Sequence, residues 1–312
     1  MRGTDGDQTT SVWWILRGGI RSEARGSLRF RLFCYSEPVI SHRLLVALAL
    51  TASVTLAAVA TLDGIRVYYE SLGNGKRAVV FIHGWTCDHT FWRLNAPAIA
   101  RKHRVLLVDL PGHGESGKPE IDYTMSLFAR AVERVMRQAG VEQAVLVGHS
   151  MGVPVVRQFL REFPAKAVGT VMVDGAIWRP PIDLTKVIDE IRTGGVEARS
   201  KRIDGMFVDR TAPALRKEIR EKMLGTPQHV AASAGVGIAD PATHKLDPIH
   251  VPTLFIVARS QSTSADQEQF LRSVISQLDY EPWDGAGHFL MMEQPERFNR
   301  SVLEFIEKRL RW

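Results

Sequence analysis

Residues 144–152 read Ala144-Val145-Leu146-Val147-Gly148-His149-Ser150-Met151-Gly152. A short apolar run leads into Gly-x-Ser-x-Gly. A helical stretch, Met151 to Phe163, follows with Val153, Val156, Phe159, Leu160 and Phe163 on one face. The pentapeptide alone is a weak signal, because glycines flank serines by chance. Its setting is specific: a buried strand, a sharp turn, then a helix. A serine at such a turn is pushed out of the sheet on a strained backbone. The flanking glycines remove side chains that would collide there. Pro154 falls in the first helical turn, where its missing N–H is tolerated. Ser150 is therefore a candidate nucleophile.

The same rhythm extends in both directions. Ile65 to Tyr69 alternates like a strand, and Gly73-Asn74-Gly75 turns. Ala78–Ile82, Val105–Val108, Thr170–Val173 and Leu254–Val257 are apolar runs suited to strands buried on both faces. Helical segments are predicted over Thr90–Ala100, Ser126–Gln138 (ended by Gly140) and Pro295–Leu310. Strand–helix alternation predicts an α/β fold with a doubly wound, mainly parallel sheet. Functional residues then belong at the carboxyl ends of strands.

Four strand-end motifs meet that expectation. Besides the serine turn there are Phe81-Ile82-His83-Gly84-Trp85, Asp109 to Ser116 (DLPGHGES), and Gly285-Ala286-Gly287-His288-Phe289. Gly84 lets the backbone turn so that the Trp85 N–H points at a developing oxyanion, with the Met151 N–H as second donor. The last motif places an imidazole on a glycine-rich loop. Asp109, a short carboxylate at a strand end, is expected to hold loop backbone.

In this order, HGW at 83–85, DLPGHGES at 109–116, GHSMG at 148–152 and GAGHF at 285–289 resemble the α/β-hydrolase superfamily, over nearly all of residues 61–312. The resemblance implies Ser150 as nucleophile, His288 as general base, and Trp85 and Met151 as oxyanion donors. Gly84, Gly148 and Gly152 are the motif glycines. His83, His149, Trp178 and Phe289 are candidates to line the pocket. The acid departs from the common pattern. After Thr253–Val257 the chain reads Ala258-Arg259-Ser260-Gln261-Ser262, without a carboxylate. Asp174, at the end of the Thr170–Val173 strand, is favoured, with Asp266 as the alternative.

A long, charge-rich stretch at 177–248 reads as a helical cap, with Val187–Ile191 and Ala214–Met223 helical. Its apolar residues suggest a small-molecule apolar acyl substrate. An esterase-like serine hydrolase acting on an ester, thioester or lactone is the expected member, and no cofactor or metal is implied. Ser150 argues against the aspartate-nucleophile branches. Carbon–carbon bond hydrolases, cofactor-free haloperoxidase-like proteins and slow-turnover ligand-binding relatives share these motifs and stay open.

Composition is that of a globular chain: 312 residues, 45% hydrophobic and 24% charged. The net charge of +6 forms no basic stripe interleaved with aromatics, which argues against nucleic-acid binding. Cys34 and Cys87 are too few for a disulfide framework. Residues 44–60, LLVALALTASVTLAAVA, follow His42-Arg43 and end in a small-x-small triplet. They read as a signal peptide cleaved before Thr61, implying export to the periplasm or medium; the alternative is a membrane anchor. Residues 1–43 carry no periodicity and read as a disordered or misassigned leader. Oligomeric state is not legible.

Overall fold

A computed structural model describes residues 55–177, 184–259 and 265–310. The leader, the apolar run through Val54, Cys34, Trp178 and Ser260–Ser262 lie outside the described residues. Among the described residues, eight strands form one sheet: β1 (Thr55–Leu62), β2 (Ile65–Leu72), β3 (Arg77–Ile82), β4 (Val105–Val108), β5 (Gln143–His149), β6 (Ala167–Val173), β7 (Thr253–Arg259) and β8 (Leu278–Asp284). Their spatial order is β1-β2-β4-β3-β5-β6-β7-β8. β1 and β2 pair antiparallel, as do β2 and β4, and every other pairing is parallel. Ala78 to Ile82 and all of β4 are buried, as continuous apolar runs require.

The helices are α1 (Ala96–Ile99), α2 (Met125–Gln138), α3 (Gly152–Glu162), α4 (Leu184–Asp204), α5 (Pro213–Gly225), α6 (Gln228–Ala239), α7 (Ala265–Val274), α8 (Leu290–Glu293) and α9 (Pro295–Arg309). α2 shows how sequence sets the ends. The Thr124 hydroxyl accepts the Leu127 N–H at 3.1 Å. At the other end Gly140 sits at φ +68°, and Val141 N–H reaches back to the Met136 carbonyl at 2.8 Å. Between these caps Phe128, Val132, Val135 and Met136 are fully buried. Each such side chain contributes roughly 1.5–3 kcal/mol.

Three expectations are corrected. The helix predicted over Thr90–Ala100 is two short pieces, a 3₁₀ turn at His89–Trp92 and α1. Pro97 has no N–H for the residue four back, and its ring crowds that carbonyl, so the helix restarts with Pro97 in its first turn. The sheet begins at Thr55, upstream of the Thr61 boundary. Thr55–Leu62 pairs along its length with β2, and Ala60 is buried. The signal for this hairpin is Asp63-Gly64, both at positive φ (49° and 82°), a turn that matches strand twist. Cleavage before Thr61 would leave only Thr61 and Leu62 of β1. Third, α6 went unread, because Gln228–Ala239 has almost no charge to mark a polar face.

The chain departs from the sheet after β6 and returns at β7 through α4, α5, α6 and a 3₁₀ turn at Pro241–His244, which form the cap. Arg157 of α3, buried in the apolar face, donates to the carbonyls of Ile177, Lys245 and Asp247. One guanidinium thus holds both necks of the cap. Burial pushes its pKa down to about 10, and Arg161 pushes the same way. α4 is broken at Gly195 (φ 55°, ψ −136°). Among the described residues no helix is long and apolar enough to cross a membrane.

Candidate active site

Strand register assembles the site. Ile82 lies beside Gly148, His149 beside Val173, and Val173 beside Ile256. The residues just beyond these ends are therefore neighbours on four adjacent strands. The chain goes from β3 outward to β4 and then crosses back to β5, so β3 and β5 flank the point where strand order reverses. Crevices for ligands open at such points.

Ser150 occupies φ 52°, in the left-handed region where a non-glycine residue is strained. Its N–H donates to the Val173 carbonyl at 2.9 Å, and its carbonyl accepts from Val153 N–H at 3.0 Å. Both bonds fix the turn. The surrounding glycines answer to crowding. A Cβ on Gly148 would sit 2.4 Å from the Gly152 carbonyl oxygen, and one on Gly152 would sit 2.5 Å from that of Ile82. A Cβ on Gly175 would meet the Ser150 carbonyl at 2.5 Å. Gly84 is looser, its Cβ position 3.0 Å from His149 Nδ1.

Asp174 also sits at positive φ, 43°. Its N–H donates to the Ile256 carbonyl at 2.8 Å, and its Oδ1 accepts Ala258 N–H at 2.9 Å. Oδ2 accepts from His288 Nδ1 at 2.6 Å. A carboxylate only accepts, so the proton is on Nδ1 and His288 Nε2 carries a lone pair. Asp266 lies in the first turn of α7, with its side chain outside the described residues.

The His288 loop is held from three sides. His149 Nε2 donates to the His288 carbonyl at 2.8 Å, and His288 N–H donates to the Met206 carbonyl of the cap at 3.3 Å. Glu293 accepts the Gly287 N–H at 2.6 Å and the Thr211 hydroxyl at 2.8 Å. Burial, with His288 beside it, holds the His149 pKa well below the usual histidine value, so the ring stays neutral. Sequence reading missed Glu293, because its role rests on a loop folding back over it.

Ser150 and His288 open into a cavity of about 870 Å³ beneath the cap. Ser150 also borders a smaller chamber of about 190 Å³, with Trp85, Met151 and Asp174 on the sheet side and Ile188 and Ile191 on the cap side. The Trp85 indole N–H donates to the Ala231 carbonyl of α6 at 2.8 Å, tying this wall to the cap. His83, His149 and Phe289, expected to line the pocket, do not border either space. All three are buried beneath it. His83 Nδ1 donates to the Gly84 carbonyl at 2.8 Å, while Nε2 accepts Leu110 N–H at 3.0 Å. Phe289 packs on Phe91 and Phe207.

A second histidine–carboxylate pair lies at the end of β4. Asp109 Oδ1 accepts His89 N–H at 2.6 Å, Oδ2 accepts Glu115 N–H at 2.8 Å, and His89 Nδ1 lies 3.0 Å from both oxygens. His89 Nε2 is 3.5 Å from Glu70 Oε1. Burial alone would lower the His89 pKa. The Asp109 hydrogen bond and charge, with Glu70 and Asp88, outweigh it and leave the pKa raised. Burial alone would raise Asp109, but His89 and the Glu115 N–H hold it below the usual carboxylate value.

Known proteins agree with this architecture. Residues 79–301 match the profile of the Alpha/beta hydrolase family. The chain is 29% identical over 266 residues to a 2-hydroxy-6-oxononadienedioate/2-hydroxy-6-oxononatrienedioate hydrolase of Burkholderia vietnamiensis, covering 78% of this chain and 92% of that protein. It is 35% identical over 144 residues to the dihydrolipoyllysine-residue acetyltransferase component of the acetoin cleaving system of Cupriavidus necator. That match spans 46% of this chain and only 37% of the relative. A solved thermophilic esterase from Thermogutta terrifontis superposes with a TM-score of 0.72 at 25% identity, covering 82% of this chain and 99% of that one.

Proposed function

The chain belongs to the α/β hydrolase family, and on that premise we propose that it is a serine hydrolase of short acyl esters working through an acyl-enzyme. The observation that carries the reading is one cavity holding Ser150 and His288, with His288 Nδ1 2.6 Å from Asp174. Because Asp174 fixes the proton on Nδ1, His288 Nε2 is the base. It takes the Ser150 proton as Oγ attacks the carbonyl carbon. The Trp85 and Met151 N–H groups receive the oxyanion, the ester C–O bond breaks, and His288 protonates the departing alcohol. Water, deprotonated by the same nitrogen, then releases the acid and restores Ser150. Asp174 keeps accepting from Nδ1 and stabilises the imidazolium.

A fluorophosphonate probe tests the core of this. Ser150 is expected to be labelled in native protein and not after denaturation, read by peptide mass spectrometry, with parallel loss of p-nitrophenyl butyrate hydrolysis. An unlabelled Ser150 in folded protein would defeat the reading. Carbon–carbon bond hydrolysis is a second reading, supported by the Burkholderia relative that matches most of both chains. Faster turnover of a 2-hydroxy-6-oxo dienoate than of any ester in a panel would put it first.

A further inference from the structure

The smaller chamber carries one feature that plain ester hydrolysis leaves unused. Its cap wall is apolar at Val187, Ile188, Ile191 and Ile238, yet Arg202 stands among them and borders the larger cavity as well. Ile191 precedes the break at Gly195 on α4 and Arg202 follows it. Four other described lining groups are polar or ionisable, and the Trp85 indole N–H is spent on the Ala231 carbonyl. Ser150 is the candidate nucleophile. Asp174 is committed to His288 and the Ala258 N–H, and His244 Nε2 reaches the Ile238 carbonyl at 2.7 Å. Among the described residues, Arg202 is thus the single lysine or arginine lining the chamber.

Arg202 keeps an exposed surface; neighbouring protein lowers its pKa and Glu190 acts in the other direction. Glu190 and Glu197 line the larger cavity with Lys201 and Arg202. Among the described residues, Asp174 is the carboxylate that lines the smaller chamber, and it is already paired with His288. An accessible arginine that lines an otherwise apolar chamber is a ready partner for an anion. Its planar fork fits the two oxygens of a carboxylate. At about 190 Å³ the chamber is also below the roughly 300–1,000 Å³ of ordinary ligand pockets. It holds a short chain.

We infer that the chamber takes a short acyl group ending in a free carboxylate, so that the substrate is a half-ester of a small dicarboxylic acid. The ester carbonyl lies at Ser150, and the distal carboxylate meets Arg202. This rests on the hydrolytic reading and narrows it from apolar acyl groups to anionic ones.

The test compares mono-p-nitrophenyl glutarate with p-nitrophenyl butyrate at low ionic strength. The kcat/KM of the anionic ester is expected to exceed that of the neutral one about tenfold or more. Arg202→Gln should cut that ratio by about 10–100-fold, and Arg202→Glu should invert it. The ratio is read within one protein, so partial misfolding does not alter it. A native ratio at or below one, or a ratio unmoved by Arg202→Gln, overturns the inference. If neither ester is cleaved and the fluorophosphonate leaves Ser150 unlabelled, the hydrolytic reading fails instead. Calorimetric binding of glutarate then decides the subsite alone. Binding weakened tenfold by Arg202→Gln upholds it, and equal binding to both proteins refutes it.

Discussion

Two histidine–carboxylate pairs sit at strand ends on the same edge of one sheet, and the proposed chemistry needs only one. His288 and Asp174 keep side-chain exposures of 21% and 16%, and His288 borders the cavity it shares with Ser150. Asp109 is fully buried. Its oxygens are taken by two backbone N–H groups and by His89, whose far nitrogen faces Glu70 and not a hydroxyl. A Cβ on Gly114 would lie 2.1 Å from an Asp109 oxygen, so the 109–116 loop closes directly on the carboxylate. A histidine held by an aspartate is therefore not a catalytic signature. What decides is the partner available to the imidazole's second nitrogen. One pair orients the imidazole proposed as base, and the other anchors a loop.

The sharpest way to break this contrast is to neutralise each acid. Asp174→Asn should lower kcat on p-nitrophenyl butyrate about 10⁴-fold, since the imidazole loses its required tautomer, with little change in Tm. Asp109→Asn should do the reverse. Losing a buried, saturated carboxylate costs roughly 2–4 kcal/mol, or about 5–15 °C in Tm for a domain this size, while turnover per folded molecule persists. Equal effects of the two changes on kcat would end the distinction.

A smaller effect is expected one step back from the base. His149→Phe keeps a buried ring but removes the donor to the His288 carbonyl, so His288 is less well placed. A kcat loss of about 10–100-fold with KM little changed is expected by stopped assay. His149→Gln, which can still donate, should recover part of it. A loss that Gln does not repair would assign His149 to packing alone.

The smallest effect lies in pH dependence. His89 has a raised folded pKa, so its contribution to stability is complete below its unfolded value, roughly pH 6.5, and is lost as pH rises through the folded value. Asp109 has a depressed pKa, so its share is present above roughly pH 3.9 and is lost as pH falls through the folded value. Stability from this pair therefore peaks in mildly acidic solution. Tm measured across pH should show an alkaline-side decline that His89→Gln flattens. An unchanged profile would remove the ionic contribution of the pair.

How much of this was legible before folding depends on how local each signal is. The parallel core was readable, and Ser150 and His288 stood out as candidates, because strand, turn and helix signals adjoin them in the chain. Asp174 was readable as a strand-end carboxylate, but its hydrogen bond to His288 depends on the β6–β7 register, which no local signal gives. Glu293, Arg157 and Arg202 carried no local signal. Each acts on backbone or space brought to it by distant segments. The β1 hairpin was hidden by a composition that also suits a targeting segment, although Asp63-Gly64 marked the turn. α6 was hidden because burial among cap helices removed the charged face by which amphipathic helices are recognised.

The Arg157 clasp bears on how this fold can change. One guanidinium reaches carbonyls on both cap necks, so the insertion departs from and returns to nearly the same point. The sheet therefore senses a closed junction and not the length of chain beyond it. Loop-closure entropy grows only slowly with that length. Caps of different size could be grafted between Ile177 and Lys245 at small cost to the catalytic floor, provided the arginine and the two carbonyls stay. Substrate range and scaffold stability are thereby separable, each open to variation without the other.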